Sequence, residues 1–191
     1  MAELLDADTS WAALAAAPRF SRIRVLSRPS PVPQDPGIYA WWFRCMPDAR
    51  INASSCEVVD GLHLLYVGIS PENADSASHL RKRIRQHYRA KLSRSTLRRS
   101  LAAMLIDQLG LEPVIVAGRL TLAGAGEETL SQWMSDNAFV AWHIHPRPWD
   151  VEDGIFRLMH LPLNIKDNAR NPFRVELETA RAELGRRANG R

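Results

Sequence analysis

The chain has 191 residues, 46 % of them apolar, with 25 Lys and Arg against 21 Asp and Glu for a net charge of +4. That length supports one packed unit with a proper core, and no apolar run of membrane-spanning length occurs, so a membrane protein is not expected. The first residues are acidic before they are apolar, the reverse of a secretory leader. Two cysteines, Cys45 and Cys56, are too few for a disulfide framework or a zinc site and fit reduced thiols in the cytoplasm.

Residues 3–17 are rich in Ala and Leu and predict a helix; with the Pro-rich stretch Pro29–Pro36 they form an N-terminal helix and lead-in over 1–35. Gly37–Phe43 (GIYAWWF) is aromatic and apolar enough for a buried strand. Residues 46–61 read as a loop, and Leu62–Ser70 (LHLLYVGIS) as a second strand, together a hairpin with a long connection. Asp75–Ser78 offer caps for a helix to about Ala90, with Leu80, Ile84 and Tyr88 on one stripe. Ser95 or Thr96 opens another helix to about Leu109, and Pro113–Leu122 predicts a short strand pair or an extended loop. Residues 127–137 suggest a short helix, 138–146 a third core strand, 150–160 a helix stopped by Pro162, and 171–185 a last amphipathic helix within a C-terminal segment 169–191. The fold class is α/β (α+β): a three-stranded antiparallel central sheet flanked by helices, in one domain, with a helical insert over 91–137.

From Arg81 to Arg99 there are nine Lys or Arg and no Asp or Glu. A solvated helix face usually mixes signs, so this run predicts phosphate contacts from Arg81, Lys82, Arg85, Arg89, Lys91, Arg94, Arg98 and Arg99. Alternation puts Tyr39 on one strand face with Trp41 and Phe43, and Tyr66 on one face with Leu64 and Gly68. A glycine inside a strand marks close approach of a ligand or backbone, which adds Gly68 to the nucleic-acid-binding set. Arg83 and His87, one turn apart on a flank of the apolar stripe, suit gripping a phosphate oxygen and handling a proton. Glu152 falls inside the apolar stripe of its helix, between Ile155 and Phe156 and near Val151, Leu158 and Met159. A carboxylate there needs a partner or a cation, and a hard ion such as Mg²⁺ fits one carboxylate, waters and substrate phosphate.

Together these residues resemble the GIY-YIG nuclease superfamily, in the form of a stand-alone bacterial-type member. Gly37-Ile38-Tyr39 matches the first signature and Tyr66-Val67-Gly68 the second; Arg83 matches the helix arginine, His87 the Tyr or His four residues on, and Glu152 with Asn164, twelve residues later, the metal-binding acid and core asparagine. The resemblance covers residues 36–89 and 138–168. It implies a metal-dependent endonuclease, using Mg²⁺ or Mn²⁺ held by Glu152, that hydrolyses phosphodiester bonds of nucleic acid, with DNA the expected substrate. Arg83 would then hold the scissile phosphate. Tyr39, its pKa lowered by Arg83 and the metal, would activate water with help from His87 or Tyr66, and Asn164 would fix geometry. Ile69 stands where family members often carry Lys; either the absence of that Lys reduces activity, or Arg81 or Arg85 replaces it. The alternative is a catalytically inactive nucleic-acid-binding module on the same fold, which would not need the acid and the tyrosines.

Overall fold

The seven residues Gly37–Phe43 are all buried. An uncharged run of this kind can lie in the middle of a sheet covered on both faces, and that is its place in the computed structural model of the chain. The structure describes residues 2–89, 91–165, 168 and 171–190, with side chains described from residue 6 onward. Ala90, the expected end of one helix, and Ala169 and Arg191, the bounds of the C-terminal segment, lie outside the described residues. In chain order the elements are α1 (Ala2–Ala16), β1 (Phe20–Ser21), α2 (Arg22–Leu26), β2 (Gly37–Phe43), β3 (Val58–Val59), β4 (Leu62–Ser70), α3 (Leu80–Arg89), α4 (Thr96–Leu105), β5 (Pro113–Val116), β6 (Arg119–Leu122), α5 (Gly126–Asn137), β7 (Ala138–Ile144), α6 (Glu152–Leu158) and α7 (Arg174–Ala188).

The main sheet has five strands, not the three expected, in the order β1-β7-β2-β4-β3, with antiparallel pairing throughout. The two extra strands, β1 and β3, are two residues each at the edges. Such short pairs have no periodicity to read. Pro113–Leu122 resolves to a strand pair: β5 and β6 close as a separate hairpin, whose turn residues Ala117 and Gly118 have φ of 49° and 71°, positive at both centres as a two-residue hairpin turn requires.

The sheet separates two cores. One face presents Tyr39, Trp41 and Phe43 to α3, α4, α5 and α7; the other presents Ile38, Ala40 and Trp42 to α1 and α6. Strand β4 does not alternate cleanly. Trp41 pairs with Tyr66 but Trp42 pairs with Leu64, so Leu65 is the extra residue of a bulge. Leu64 therefore packs in the core opposite to Tyr66, and the expectation that these two share a face is corrected. A run of apolar residues offers no alternation from which the bulge could be read.

The outer edge of β4 is closed by an amide. Asn164 Oδ1 accepts from Val67 N (3.0 Å) and its Nδ2 donates to Val67 O (2.7 Å), while Leu163 N donates to Leu65 O (3.0 Å). Residues 163 and 164 thus satisfy an edge that β3 leaves open. Asn171 Nδ2 donates to Asn164 O (2.9 Å) and so secures the clip from the C-terminal side.

Residues 91–137 pack against the sheet face that carries Tyr39, Trp41 and Phe43. Arg98, expected as a phosphate contact, is 1 % exposed. Its guanidinium pairs with Glu127 (2.8 Å) and donates to Ser131 Oγ and Glu127 O (3.0 Å each). Glu127 also accepts from Leu92 N and Thr121 Oγ1 (3.0 Å each). Arg98 is a core cation that ties α4, α5 and β6 together, and it is withdrawn from the nucleic-acid contacts. Glu127→Ala strands a buried charge, so unfolding free energy in urea should fall by about 3–5 kcal/mol; the double change with Arg98→Met should recover most of the loss.

Candidate active site

The first core opens on one side into a cleft of about 270 Å³, walled by Tyr39, Tyr66, Gly68, Glu72, Arg83, Thr96, Glu152, Asn164 and Arg181 among others. Strands β2 and β4 bring the tyrosines together because Tyr39 is the cross-strand partner of Gly68. A Cβ at position 68 would stand 2.5 Å from the Tyr39 hydroxyl and 2.6 Å from its Cζ. The room that Gly68 leaves is therefore filled by the Tyr39 phenol, while Gly68 itself lines the cleft. The two tyrosine rings lie 6.5 Å apart between centroids.

Helix α3 buries Leu80, Ile84 and Tyr88 as the stripe predicts, and it buries His87 completely as well. His87 is not on a flank leaning over the stripe but inside the core. Its Nε2 lies 2.9 Å from the Tyr39 hydroxyl and its Nδ1 2.8 Å from Ser95 Oγ. Arg83 Nε donates to the Tyr39 oxygen from the other side, at 3.4 Å. With that oxygen accepting from Arg83, the phenolic proton points at His87 Nε2, and the imidazole proton then sits on Nδ1 and is donated to Ser95. Ser95 Oγ also accepts from Arg98 N (3.1 Å) as the cap of α4. The next residue, Thr96, places its hydroxyl 3.3 Å from that of Tyr66.

Burial pushes the Tyr39 phenol well above its ordinary pKa, Tyr66 adds to the rise, and the opposing pull of Arg83 is smaller. Arg83 by itself therefore does not hold the phenol low. Burial likewise raises Tyr66, against its bond to Thr96 and the charge of Arg83. His87 is driven well below its ordinary value, by burial first and by Arg83 and Arg98 after it. Desolvation opposes the charge on Arg83, but Tyr39, Tyr66 and Glu72 outweigh it and its pKa lies above the usual value; the Arg83–Glu72 contact, at 3.6 Å, is on the solvent side. At neutral pH the core of the site is therefore a neutral tyrosine bonded to a neutral histidine, beside one fixed positive charge.

Glu152 opens α6 and lines the opposite wall, half-exposed, while Val151, Ile155 and Phe156 beside it are buried and Leu158 is exposed. Among the described residues no three His, Cys, Asp or Glu gather into an all-protein metal cage. One carboxylate beside a phosphate-sized cleft fits a hard cation that keeps its waters and takes substrate oxygens, and does not fit zinc. Asn164 lines the cleft, but both ends of its amide are occupied by Val67. Ile69 packs in the second core with Val151 and Ile155 and also borders the cleft.

The basic run divides. Arg81 Nε donates to Val32 O (2.6 Å) and Arg85 to Ser27 O (3.5 Å), so both turn toward the lead-in and neither lines the cleft in place of the missing lysine. Lys82, Arg89, Lys91 and Arg94 are exposed. The last three, with Arg119 of β6, line a second, open groove. Arg99 is half-buried on α4. Sequence reasoning missed Ser95 as the partner of His87, having read it only as a helix cap, and missed Thr96, Glu72, Arg119 and Arg181. The eight-residue separation of His87 and Ser95 was visible, but the turn that brings them together was not.

An antiparallel sheet with paired tyrosines, a guanidinium and a carboxylate around one cleft suits a nuclease. The sequence profile described as the GIY-YIG catalytic domain matches residues 37–183, and the chain belongs to the GIY-YIG family, whose members are endonucleases that act on nucleic acid and generally use divalent metal ions. No curated protein and no solved structure matches the chain. No helix among the described residues is long and apolar enough to cross a membrane.

The depressed pKa of His87 has a sign that can be checked. The unfolded chain takes up the proton near the ordinary value, about 6.5, and the folded chain only at lower pH. Stability is thus full above about pH 6.5 and falls by about 1.4 kcal/mol per pH unit below it, until the folded value is reached. Denaturant unfolding from pH 7.5 to 5 should show a steeper loss for the wild type than for His87→Gln; equal slopes would mean that the histidine is not buried neutral.

Proposed function

We propose that the chain is a divalent-metal-dependent endonuclease that hydrolyses phosphodiester bonds of DNA in the cytoplasm, working as one unit in which residues 91–137 are part of the site. The observation that carries this reading is the convergence of Tyr39, Tyr66, Arg83 and Glu152 on one cleft, with Tyr39 hydrogen-bonded to a buried His87. Glu152 is the residue to hold Mg²⁺ or Mn²⁺, and a cation there supplies Lewis-acid stabilisation of the phosphate charge. Arg83 binds a non-bridging oxygen of the scissile phosphate and offsets the charge that builds up in line with attack.

The proton path belongs to the chain itself. As water attacks phosphorus, its proton passes to the Tyr39 oxygen while the Tyr39 proton passes to His87 Nε2. The P–O bond opposite the attack breaks, and the departing oxygen takes a proton from solvent at the open side of the cleft. Tyr39 stays neutral, and His87 is left as an imidazolium whose Nδ1–H stays on Ser95 until it returns the Nε2 proton to solvent through Tyr39. This relay avoids a free phenolate, which burial makes costly at neutral pH. Tyr66, held by Thr96, borders the cleft as a donor to a phosphate oxygen. The exposed Lys82, Arg89, Lys91 and Arg94, with Arg119, give a sequence-independent track for the backbone. Asn164 acts through β4 and touches no substrate.

Labelled single-stranded, duplex and branched DNA incubated with Mg²⁺ or EDTA tests the reading directly. Cleavage should require the metal, and Glu152→Ala or Arg83→Ala should each lower its rate by about 10³-fold with unchanged circular dichroism. A gel shift with no metal-dependent cutting would instead establish the non-cutting binding module. Gly68→Ala provides a separate check on Tyr39: its methyl displaces the phenol from His87, so kcat should fall by about 10²-fold with little change in DNA affinity. Full activity in that variant would remove Tyr39 from the proton path.

A further inference from the structure

Four arginines lie on α7. Three are paired at the surface: Arg174 with Glu178 (2.8 Å), Arg186 with Glu183, and Arg187 with both Glu183 (3.0 Å) and Asp107 (2.7 Å). Arg181 differs. It is half-buried, lines the catalytic cleft beside Tyr66, and makes no hydrogen bond or ion pair among the described residues. Its neighbour across the α4–α7 contact is another cation, Arg99, whose buried Nε also has no hydrogen-bond partner. Burial and then Arg99 disfavour the charge on Arg181, while Tyr66 and Glu178 favour it more weakly.

Two neighbouring guanidiniums without a carboxylate partner are an unbalanced charge in a partly dry site. The other arginines of the helix form ion pairs with acids; Arg181 forms none, although Glu178 lies near enough to favour its charge weakly. Its guanidinium fork is left open toward the cleft, and such a fork matches a phosphate. We propose that Arg181, with Arg99 behind it, forms a second phosphate subsite of the cleft, which grips a backbone phosphate of the bound strand on the Tyr66 side while Arg83 holds the scissile one. The proposal rests on the reading of the cleft as a nuclease site. It assigns to the C-terminal helix a part in placing the strand.

The test compares the full chain with Arg181→Met, which keeps the stem and removes the charge, and Arg181→Lys, which restores a charge. Binding of a short fluorescein-labelled DNA duplex and of its single strand is followed by anisotropy in EDTA over a range of KCl concentrations. For Arg181→Met the affinity should drop about tenfold, and the slope of log K against log salt should become shallower by about 0.9 for the duplex and about 0.7 for the strand. Lysine should recover the slope. The melting temperature of Arg181→Met should not fall, because a like-charge neighbour has been removed, and in cleavage KM should rise more than kcat drops. Single methylphosphonates placed along the strand should include one position that weakens the wild type and leaves Arg181→Met unaffected. An unchanged slope in Arg181→Met while the wild type cleaves overturns this inference alone. So does a loss of affinity that comes with a lower melting temperature and is not rescued by lysine. A wild type that neither binds nor cuts either substrate overturns the proposed function together with it.

Discussion

The Tyr39 phenol lies across the backbone of Gly68, in space that any side chain at that position would occupy. Much of the site follows from this close approach. Register sets it, since β2 and β4 pair so that Tyr39 and Gly68 stand opposite each other, and the bulge at Leu65 puts Tyr66 on that same face. Asn164 holds β4 at Val67, next to the glycine, through two hydrogen bonds to one backbone residue. The phenol lying over Gly68 meets His87 Nε2 as an acceptor and Arg83 Nε as a donor. A second close approach supports the first: a Cβ at Gly37 would meet His143 O and, at 2.8 Å, Leu80 of α3. The two glycines let the sheet meet the helix that carries Arg83 and His87.

Most of this frame was legible in the residues. The apolar runs 37–43 and 62–70, the stripe Leu80, Ile84 and Tyr88, and the turn residues between them are local signals, and the elements they specify are present within a few positions. The ends differ where no cap chemistry marks them: α4 closes at Leu105 instead of near Leu109, and α6 is shorter than the range 150–160. What could not be read depends on partners distant in the chain. Arg98 looks like part of a phosphate-binding run until Glu127 folds back over it. Arg181 looks like one more surface arginine of an amphipathic helix until α7 packs on α4 beside Tyr66. The burial of His87 escaped for a related reason. A helix wheel places it at the edge of the stripe, and whether an edge is buried depends on what lies above it, here Ser95 and the start of α4.

Burial also bears on the proposed proton path. Arg83 is close enough to stabilise a Tyr39 phenolate, and desolvation outweighs it. The same desolvation keeps His87 unprotonated, with its Nε2 lone pair on the phenolic proton. A site that needed a standing phenolate would be hampered by such an environment; a concerted transfer is not, because no group there has to carry a charge before attack begins. The 91–137 segment is what makes this environment possible. Its Ser95 and Thr96 cover the histidine and the second tyrosine, and its Arg98–Glu127 pair anchors the helix that presents them.

The arginines sort by partner. Arg98, Arg174 and Arg187 are paired with acids as parts of the scaffold, whereas Arg83 stays at the cleft with Glu72 on its solvent side. Among those without an ion pair, Arg181 and Arg99 sit beside the cleft, and Arg89, Arg94 and Arg119 line the open groove with Lys91. Net charge alone could not separate the two groups, since both add equally to it. The residual excess of +4 matters less than its placement: the fold neutralises cations such as Arg98 inside its core and leaves others unpaired beside the cleft and along the open groove.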